Sequence, residues 1–321
     1  MVDLDREEHE LLARIARQWY VDRRTQSEIA DEFGLSRPKV QRLLDRARAT
    51  GVVEVHIDVP LGLDLDLEKR FVDAFGLKAA IVSPSVPDAD EQRSLVARRA
   101  AGYLERLLVD STVVAISHGR DVGAVPRHFR PNTAIDCVFA SAMGGSPRVD
   151  APTNPNETCR SLAQRCDGRA ESLYAPVYVE SAEVRDRLLE QDAVAHALKV
   201  AASADIALLG IGGADDSCTM VRSGCLTKAE MRTLRKQGAV GDVLGNYVDI
   251  NGAHIVAPHS SRVIGLSIDE LRAIPTVVAA VSGSEKPRAI LGVLRAGIVD
   301  VLILDESNAH MVLDLARTGG N

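Results

Sequence analysis

The sequence predicts an α/β protein that begins with a small helical domain. In residues 60–321, short apolar runs typical of strands alternate with stretches of helical pattern, and this order favours parallel strands in a layered sheet. Residues 1–59 are instead helical and rich in arginine, with a short β-prone tail. A chain of 321 residues is also long enough for about two domains. We therefore expect a first domain at 1–59 and a second at 60–321.

The strands of the second domain are expected where apolar, β-prone residues cluster. Between them, helix starts are marked by capping boxes, in which a hydroxyl side chain and a glutamate three residues later cap the helix; Thr227 with Glu230 and Ser267 with Glu270 have this spacing. Asp64–Phe75 has large apolar residues at every fourth position and predicts an amphipathic helix. The expected strands are Ala79–Ser83, Val113–Ser117, Ile135–Ser141, Asp205–Ile211, Arg262–Leu266, Thr276–Ser282 and Asp300–Leu304.

The first domain carries the pattern of a helix-turn-helix. Thr25 and Glu28 form a capping box that begins a helix, and Gly34 suits the left-handed backbone that ends one. Ser36 is a good N-cap for a second helix, which we expect to run to about Ala49. Two short helices joined by a tight glycine turn are typical of DNA-binding domains.

Positive charge in the first domain is concentrated on the second of these helices, where Asp45 is the single acidic residue. In a helix-turn-helix the start of this helix meets base edges, and basic side chains meet phosphates. We therefore expect double-stranded operator DNA as a partner; the alternative is a solvated cationic face on a helical hairpin. Gly51–Asp58 is expected to form a short wing hairpin or strand. The residues expected to contact DNA are Thr25, Gln26, Ser36, Arg37, Lys39, Gln41, Arg42 and Arg46.

Composition excludes several other classes. The net charge of −7 means that contact with nucleic acid must be local, and 3% aromatic residues argue against platforms that stack single-stranded bases. No apolar run is long enough to span a membrane, and the acidic N-terminus does not resemble a signal peptide. Five cysteines without a CxxC pair, and histidines that are scattered, predict reduced thiols, a cytoplasmic protein, no metal site and no cofactor.

Five glycine-containing loops are candidates for binding a small molecule. In α/β sheets, ligands bind beyond the carboxyl ends of the strands, where helix starts offer backbone N–H groups. Each loop is also compatible with an ordinary turn, and Asp215 replaces the third glycine of a dinucleotide-binding pattern. Lys286 stands at the start of what we expect to be the last long helix, where a bound anion would offset its unfavourable position in the helix dipole. The loops are Ser117–Asp121, Ala142–Pro147, Gly210–Asp216, Gly238–Asp242 and Gly283–Pro287.

With these motifs in place, residues 8–315 resemble the SorC family (DeoR-like) of sugar-binding transcriptional regulators. The resemblance rests on 26–44, 204–212, 238–245, 262–267 and 283–286. It implies a Rossmann-like effector domain similar to sugar-phosphate isomerases and deaminases, and a homotetramer on operator DNA. It also implies that a sugar, polyol or sugar phosphate changes DNA binding.

The resemblance, together with the loops above, selects the effector-binding residues. The first loop usually reads Ser-Trp-Gly-Thr-Thr in the family, whereas here His118, Arg120 and Asp121 depart from it. Met143 stands where some relatives carry a lysine that forms a Schiff base, so covalent capture of an aldehyde is not expected. The expected effector-binding residues are Ser117, His118, Gly119, Arg120, Asp121, Gly144, Gly145, Asp215, Asp242 and Lys286.

The sequence leaves two questions open. The first is the class of protein: we expect a transcriptional regulator and not an enzyme, but an isomerase or deaminase with an appended DNA-binding domain, or a DNA-binding scaffold without a ligand, would share these motifs. The second is the charge of the effector. Arg120 and Lys286 would favour a phosphate, whereas Asp121 would repel it, or would pair with Arg120 and leave room for a neutral polyol.

Overall fold

Three helices form the N-terminal part of the computed structural model, which describes residues 6–53, 64–146, 154–283 and 286–319. They are α1 (Arg6–Tyr20), α2 (Gln26–Phe33) and α3 (Arg37–Ala49). The Thr25 capping box is present, and Gly34 ends α2 at φ +63°, a value that suits glycine because no Cβ is present to clash. The predicted helix-turn-helix is therefore confirmed, while most of the expected wing lies outside the described residues.

The helices of this part enclose a core of their own. The chain divides into two compact units, Met1–Pro60 and Leu61–Asn321. Within the first unit, the buried side chains come from all three helices, so each helix turns its apolar face inwards and its charged face outwards. They are Leu12, Ile15, Ala16, Ile29, Ala30, Val40, Leu43, Leu44 and Ala47.

The second unit alternates strands and helices. In the described part of this unit, the strands are β1 (Ala79–Ser83), β2 (Val113–Ile116), β3 (Val138–Ser141), β4 (Arg169–Glu171), β5 (Ile206–Gly210), β6 (Gly212–Gly213), β7 (Ala239–Val243), β8 (Asn246–Asp249), β9 (Thr276–Val281) and β10 (Val301–Asp305). The helices are α4 (Leu65–Phe75), α5 (Ala89–Leu107), α6 (Arg120–Ala124), α7 (Pro155–Ala163), α8 (Ala182–Leu189), α9 (Asp192–Ala202), α10 (Thr219–Arg222), α11 (Lys228–Lys236), α12 (Ile268–Ala273), α13 (Pro287–Arg295) and α14 (Glu306–Arg317).

Seven of these strands form one parallel sheet in the order β1-β10-β9-β5-β2-β3-β4. From β2 the chain proceeds towards β4 on one side, and from β5 it proceeds towards β10 on the other. The direction of winding therefore changes between β2 and β5, which lie side by side. Such a switch point leaves a crevice at the carboxyl ends of the strands, where ligands of open α/β sheets bind.

Apolar cores cover both faces of this sheet. Along β2, Val114 and Ile116 belong to one buried cluster, whereas Ala115 between them belongs to the other. Neighbouring side chains of a strand point to opposite faces, so the two clusters are two layers separated by the sheet. Burial on both faces explains why the strands are almost continuously apolar, as the sequence pattern indicated. The α/β fold class is confirmed.

The structure differs from the sequence-based expectations in several details. Arg262–Leu266 is not a strand; Val263 and Gly265 make single β-bridges, with Tyr178 and Met143, because the partner segments are irregular. The helix that begins at Pro287 is not the last one, since α14 follows β10 and is capped by Asp305. A small antiparallel sheet, β6-β7-β8, was not anticipated.

Candidate functional site

A cavity of about 500 Å³ lies at the switch point, at the carboxyl ends of the parallel strands. Loops that follow β1, β2, β5, β9 and β10 contribute to its wall, together with the small sheet. Seven of the ten expected effector-binding residues line it, from loops, from the small sheet and, for Lys286, from the start of α13. The expected residues found in the lining are His118, Gly119, Arg120, Asp121, Asp215, Asp242 and Lys286.

Ser117 ties the two loops of the switch point together. Its hydroxyl donates to the carbonyl of His118 and accepts from the backbone N–H of Gly210, each at 2.9 Å. The side chain is buried and is outside the lining of the cavity. Ser117 therefore joins the loop after β2 to the loop after β5 and positions the residues beside it.

Asp121 is the most highly coordinated carboxylate of the cavity wall. Its Oδ2 lies 3.2 Å from the Lys286 ammonium and accepts from the Ser282 backbone N–H at 3.3 Å. Its Oδ1 accepts from the Ser282 hydroxyl and lies 3.9 Å from Arg93 Nε. Arg120 does not pair with Asp121; it is exposed at the cavity wall and forms no ion pair with the described residues.

Asp242 belongs to the small sheet and faces β6. Its Oδ2 accepts from the Gly245 backbone N–H at 2.9 Å. A Cβ at Gly212 would lie 2.0 Å from Asp242 Oδ1, so glycine is required where these strands meet. Burial raises the pKa of Asp242 to about 6, against the lowering effects of the Gly245 hydrogen bond and the charge of Lys286.

Asp215 and His118 complete the opposite side of the cavity. Asp215 Oδ1 accepts from the backbone N–H of Ser217 at 2.7 Å, which holds its loop in a tight turn. His118 Nδ1 lies 3.0 Å from the sulfur of Met143. Burial lowers the pKa of His118 to about 4, so the imidazole is neutral at pH 7.

Gly144 and Gly145 are outside the lining of this cavity, although Gly144 lines a small pocket that shares His118 and Met220 with it. A Cβ at Gly144 would lie 2.5 Å from the backbone of Pro176, and the Gly145 N–H donates to the carbonyl of Ala175 at 2.9 Å. These glycines therefore allow the backbone around Ala175 and Pro176 to approach closely. In the structure both glycines allow close packing of backbone segments, and neither lines the cavity at the switch point.

The loop after β1 and the side chains that hold it were not anticipated. Gln92 is buried; its Oε1 accepts from the Val86 N–H at 2.8 Å and its Nε2 donates to the Pro84 carbonyl at 3.1 Å. Arg93, one residue further along α5, reaches Asp121. The rule that sites lie beyond strand ends, applied to β1 and β10 as well, would have indicated these residues and Asp305.

The candidate DNA-binding surface lies on α2 and α3. Arg37, Lys39 and Arg42 are exposed, and the side chains of the first two make no ion pair or hydrogen bond within the described part of the chain. Gln26 donates to Gln41, which in turn donates to Asp45 at 2.9 Å, so the starts of the two helices are linked by side chains. Ser36 is the N-cap residue of α3 without a side-chain capping bond, which leaves its hydroxyl available.

Two further arginines of α3 have partners on α1. Arg46 forms an ion pair with Glu8 at 2.7 Å, and Arg48 Nε donates to the Tyr20 hydroxyl at 2.6 Å. Thr25 is occupied by its capping box with Glu28. The expected DNA-contacting residues thus divide into side chains that are uncommitted and side chains that already stabilise the unit.

No group of three or more metal-ligating side chains that could hold an ion occurs in residues 6–53, 64–146, 154–283 and 286–319. Over the same residues, no helix is both long and apolar enough to cross a membrane.

Comparison with known proteins places the chain among regulators. Residues 59–314 match the Sugar-bind family model, which describes a sugar-binding domain. EryD, the erythritol catabolism regulatory protein of Brucella abortus, is 30% identical over 94% of this chain and 96% of its own. LsrR, a transcriptional regulator of Klebsiella pneumoniae, is 31% identical over 96% of this chain and 94% of its own. The crystal structure of the full-length sorbitol operon regulator SorC from Klebsiella pneumoniae has a TM-score of 0.74 at 25% identity and covers 96% of this chain and 99% of that one.

The helix-turn-helix and the cavity at the switch point define a transcriptional regulator with a sugar-binding domain. The matches extend over both parts of the chain and include the family model over most of its length. The chain belongs to the SorC (DeoR-like) family of sugar-binding transcriptional regulators.

Proposed function

We propose that this protein binds operator DNA through α3 and that a small polyhydroxylated effector in the switch-point cavity controls this binding. The cavity carries the proposal: about 500 Å³ is enough for a sugar or polyol, and charged and polar groups converge on it from loops of five strands. The genes controlled are those of carbohydrate or polyol metabolism, in line with relatives named for erythritol catabolism and the sorbitol operon.

The proposed contact with DNA begins at the N-terminal end of α3. Arg37 and Gln41 would meet base edges in the major groove, and Lys39, Arg42 and Arg46 would meet phosphates. Thr25, Gln26 and Ser36 stand at the starts of α2 and α3, where hydroxyl, amide and backbone N–H groups contact the DNA backbone.

We further propose that the protein acts as a regulator without catalysis, as a homotetramer in the cytoplasm. An isomerase or deaminase would need an acid and a base that exchange protons with the ligand near pH 7. Asp242 has a suitable pKa of about 6, but its nearest described partner is the backbone N–H of Gly245. His118, with a pKa of about 4, is a poor proton donor at neutral pH because it is almost wholly deprotonated there.

The proposal is tested with the purified full-length protein and the DNA upstream of its own gene. Binding is followed by fluorescence anisotropy while C4 to C6 polyols, free sugars and their phosphates are added one at a time. At least one compound should change the affinity for this DNA and leave the affinity for random DNA unchanged. Responses to none of them, or conversion of a compound by the protein alone, would overturn the proposal.

A further inference from the structure

We propose that Asp121 makes the cavity selective for an uncharged polyhydroxylated effector, a free sugar or polyol, over its phosphate ester. This inference rests on the proposed function and adds to it the chemical class of the ligand and the residue that decides it. The sequence alone did not decide between a phosphorylated effector and a neutral polyol. The contacts of Asp121 favour the neutral ligand.

Asp121 occupies the position that an anionic ligand would require. Its side chain is 6% exposed, and both of its oxygens are already engaged, by Lys286 on one side and by Ser282 on the other. Lys286 and Arg93 are themselves only 19% exposed, and both turn towards this carboxylate. The protein therefore supplies its own anion to the partly buried cations of the cavity.

A bound phosphate would have to share Lys286 and Arg93 with the carboxylate of Asp121, which is fixed in the cavity wall. A phosphate monoester carries a charge of about −1.5 to −2 at pH 7, and a like charge held at short range in a partly buried site raises the free energy of the bound state. Asp121 cannot turn into solvent without breaking its bonds to Ser282, and a buried charge that loses its partners is costly. Lys286 is paired with Asp121, and Arg93 is also paired with Asp90, so neither cation is free to attract a phosphate.

In the described lining the carboxylates outnumber the cations, and Arg120 is the cation that opposes this excess. Within the described lining, the carboxylates of Asp121, Asp215, Asp242 and Asp305 face the cations of Arg93, Arg120 and Lys286. Arg120 is exposed and adds one guanidinium at the wall. Carboxylate oxygens accept hydrogen bonds from hydroxyl groups but repel phosphate oxygens, so this lining suits a ligand rich in neutral donors.

The test uses inorganic phosphate as the probe, because it requires no knowledge of the natural effector. Thermal unfolding of the full-length protein is measured over a series of inorganic phosphate concentrations, with sodium chloride of equal ionic strength as the reference. The wild type should show no shift in Tm. Asp121→Asn, which keeps the size of the side chain and removes its charge, should be stabilised by about 2 °C or more, because Lys286 becomes available to the ion. Asp121→Ser is the second variant. Asp73→Asn, an exposed aspartate of α4 paired with Lys69 and outside the cavity lining, is the control that should resemble the wild type.

Each outcome decides the inference. Equal stabilisation of the wild type and Asp121→Asn would overturn it, and so would the absence of a shift in both Asp121 variants, provided that far-UV circular dichroism and operator binding show them folded. Titration of the operator complex with erythritol, sorbitol and ribose and with their phosphate esters separates this question from the proposed function. A stronger response of the wild type to the esters would overturn the selectivity and leave the regulator intact, whereas silence towards every compound would count against the regulator itself.

Discussion

Arg46 on α3 and Glu8 on α1 form a bidentate ion pair. One terminal nitrogen of Arg46 lies 2.7 Å from Glu8 Oε1, and the other donates to Oε2 at 3.0 Å. Both side chains are partly exposed, so the pair is screened by solvent and contributes little to folding. Its larger effect is on charge: a carboxylate stands beside a cation that is proposed to meet a DNA phosphate.

Replacement of Glu8 should therefore strengthen DNA binding without a preference for sequence. Glu8→Gln removes the negative charge and frees Arg46, so affinity for operator and random DNA should rise by the same factor, and the slope of affinity against salt should steepen. Anisotropy titrations at several salt concentrations measure both. Glu10→Gln, which alters an exposed pair with Arg14 on the same helix, is the control. A gain confined to the operator would contradict the phosphate role of Arg46.

Arg37 and Lys39 should differ in what they recognise. Neither has a partner within the described part of the chain, so replacement by alanine removes no internal contact. Arg37→Ala should weaken operator binding by about 1–3 kcal/mol and leave random DNA nearly unaffected, because it reads a base. Lys39→Ala should weaken both and reduce the salt slope by about one, because it meets a phosphate. Parallel losses for the two variants would show that α3 does not read sequence in this way.

Lys286→Ala should abolish the response to the effector and leave operator binding intact. The ammonium lines the cavity from the start of α13, whereas the DNA-binding residues belong to the other compact unit. Loss of the ion pair with Asp121 should also lower Tm. The decrease should be only a few degrees, because Asp121 keeps Arg93 and Ser282 as partners. Operator titrations with and without the effector, together with thermal unfolding, measure these effects. A variant that still responds normally would move the effector elsewhere.

The buried carboxyl of Asp242 should lower the free energy of unfolding of the second unit as the pH rises above 4. Burial raises the pKa of this carboxyl to about 6 in the folded protein, above its value in the unfolded chain. The folded state then binds the proton more tightly, so the contribution is complete below the unfolded pKa and is lost as the pH passes through about 6.

Comparison with Asp242→Asn isolates this effect, because other groups, including His118, titrate alike in both proteins. The free energy of unfolding of the wild type, measured in urea relative to that of the variant, should fall by on the order of 2 kcal/mol between pH 4 and pH 7.5. A difference that does not change with pH would show that Asp242 is as well solvated in the folded state as in the unfolded one.

Gly144→Ala should destabilise the protein because the added methyl group meets the backbone of Pro176 at 2.5 Å. Backbone cannot rotate away as a side chain can, so the cost should be about 1–3 kcal/mol in urea unfolding. Gly102→Ala in α5 has open space around the new Cβ and should instead gain about 0.5–1 kcal/mol. If Gly144→Ala lost effector binding at unchanged stability, the glycine would have a role at the ligand that its packing does not indicate.

Local signals predicted the local parts of the fold. The capping boxes of Thr25, Thr227 and Ser267 mark helix starts in the structure as they do in the sequence. Each depends on residues within one turn of helix, so no knowledge of distant partners is needed. The small sheet was missed because β6 consists of two glycines and has no apolar alternation of its own; its strands are defined by pairing with β7.

The candidate site was predicted less completely, since its decisive contacts join residues far apart in the chain. The loops after β2 and β5 and Lys286 were identified because strand ends bind ligands and glycines mark them. The partners of Asp121 were not, because Arg93 and Ser282 approach it only after the sheet has assembled. Gly144 and Gly145 were expected to bind the effector but contact other backbone. A glycine pair in a sequence indicates that something packs closely against it, and does not show whether this is a ligand or another chain segment.

The pairing of β1 with β10 has a consequence for the order in which the molecule is made. Residues 79–83 pair with residues 301–305, so β1 cannot pair with β10 until roughly 220 further residues have been synthesised. The helices within residues 6–53 contact one another locally and can fold as soon as they leave the ribosome. A chain cut short before Val301 would keep the helices proposed to bind DNA and lose the strand on which β1 closes. Premature termination would therefore leave the first unit attached to a second unit whose sheet cannot form completely.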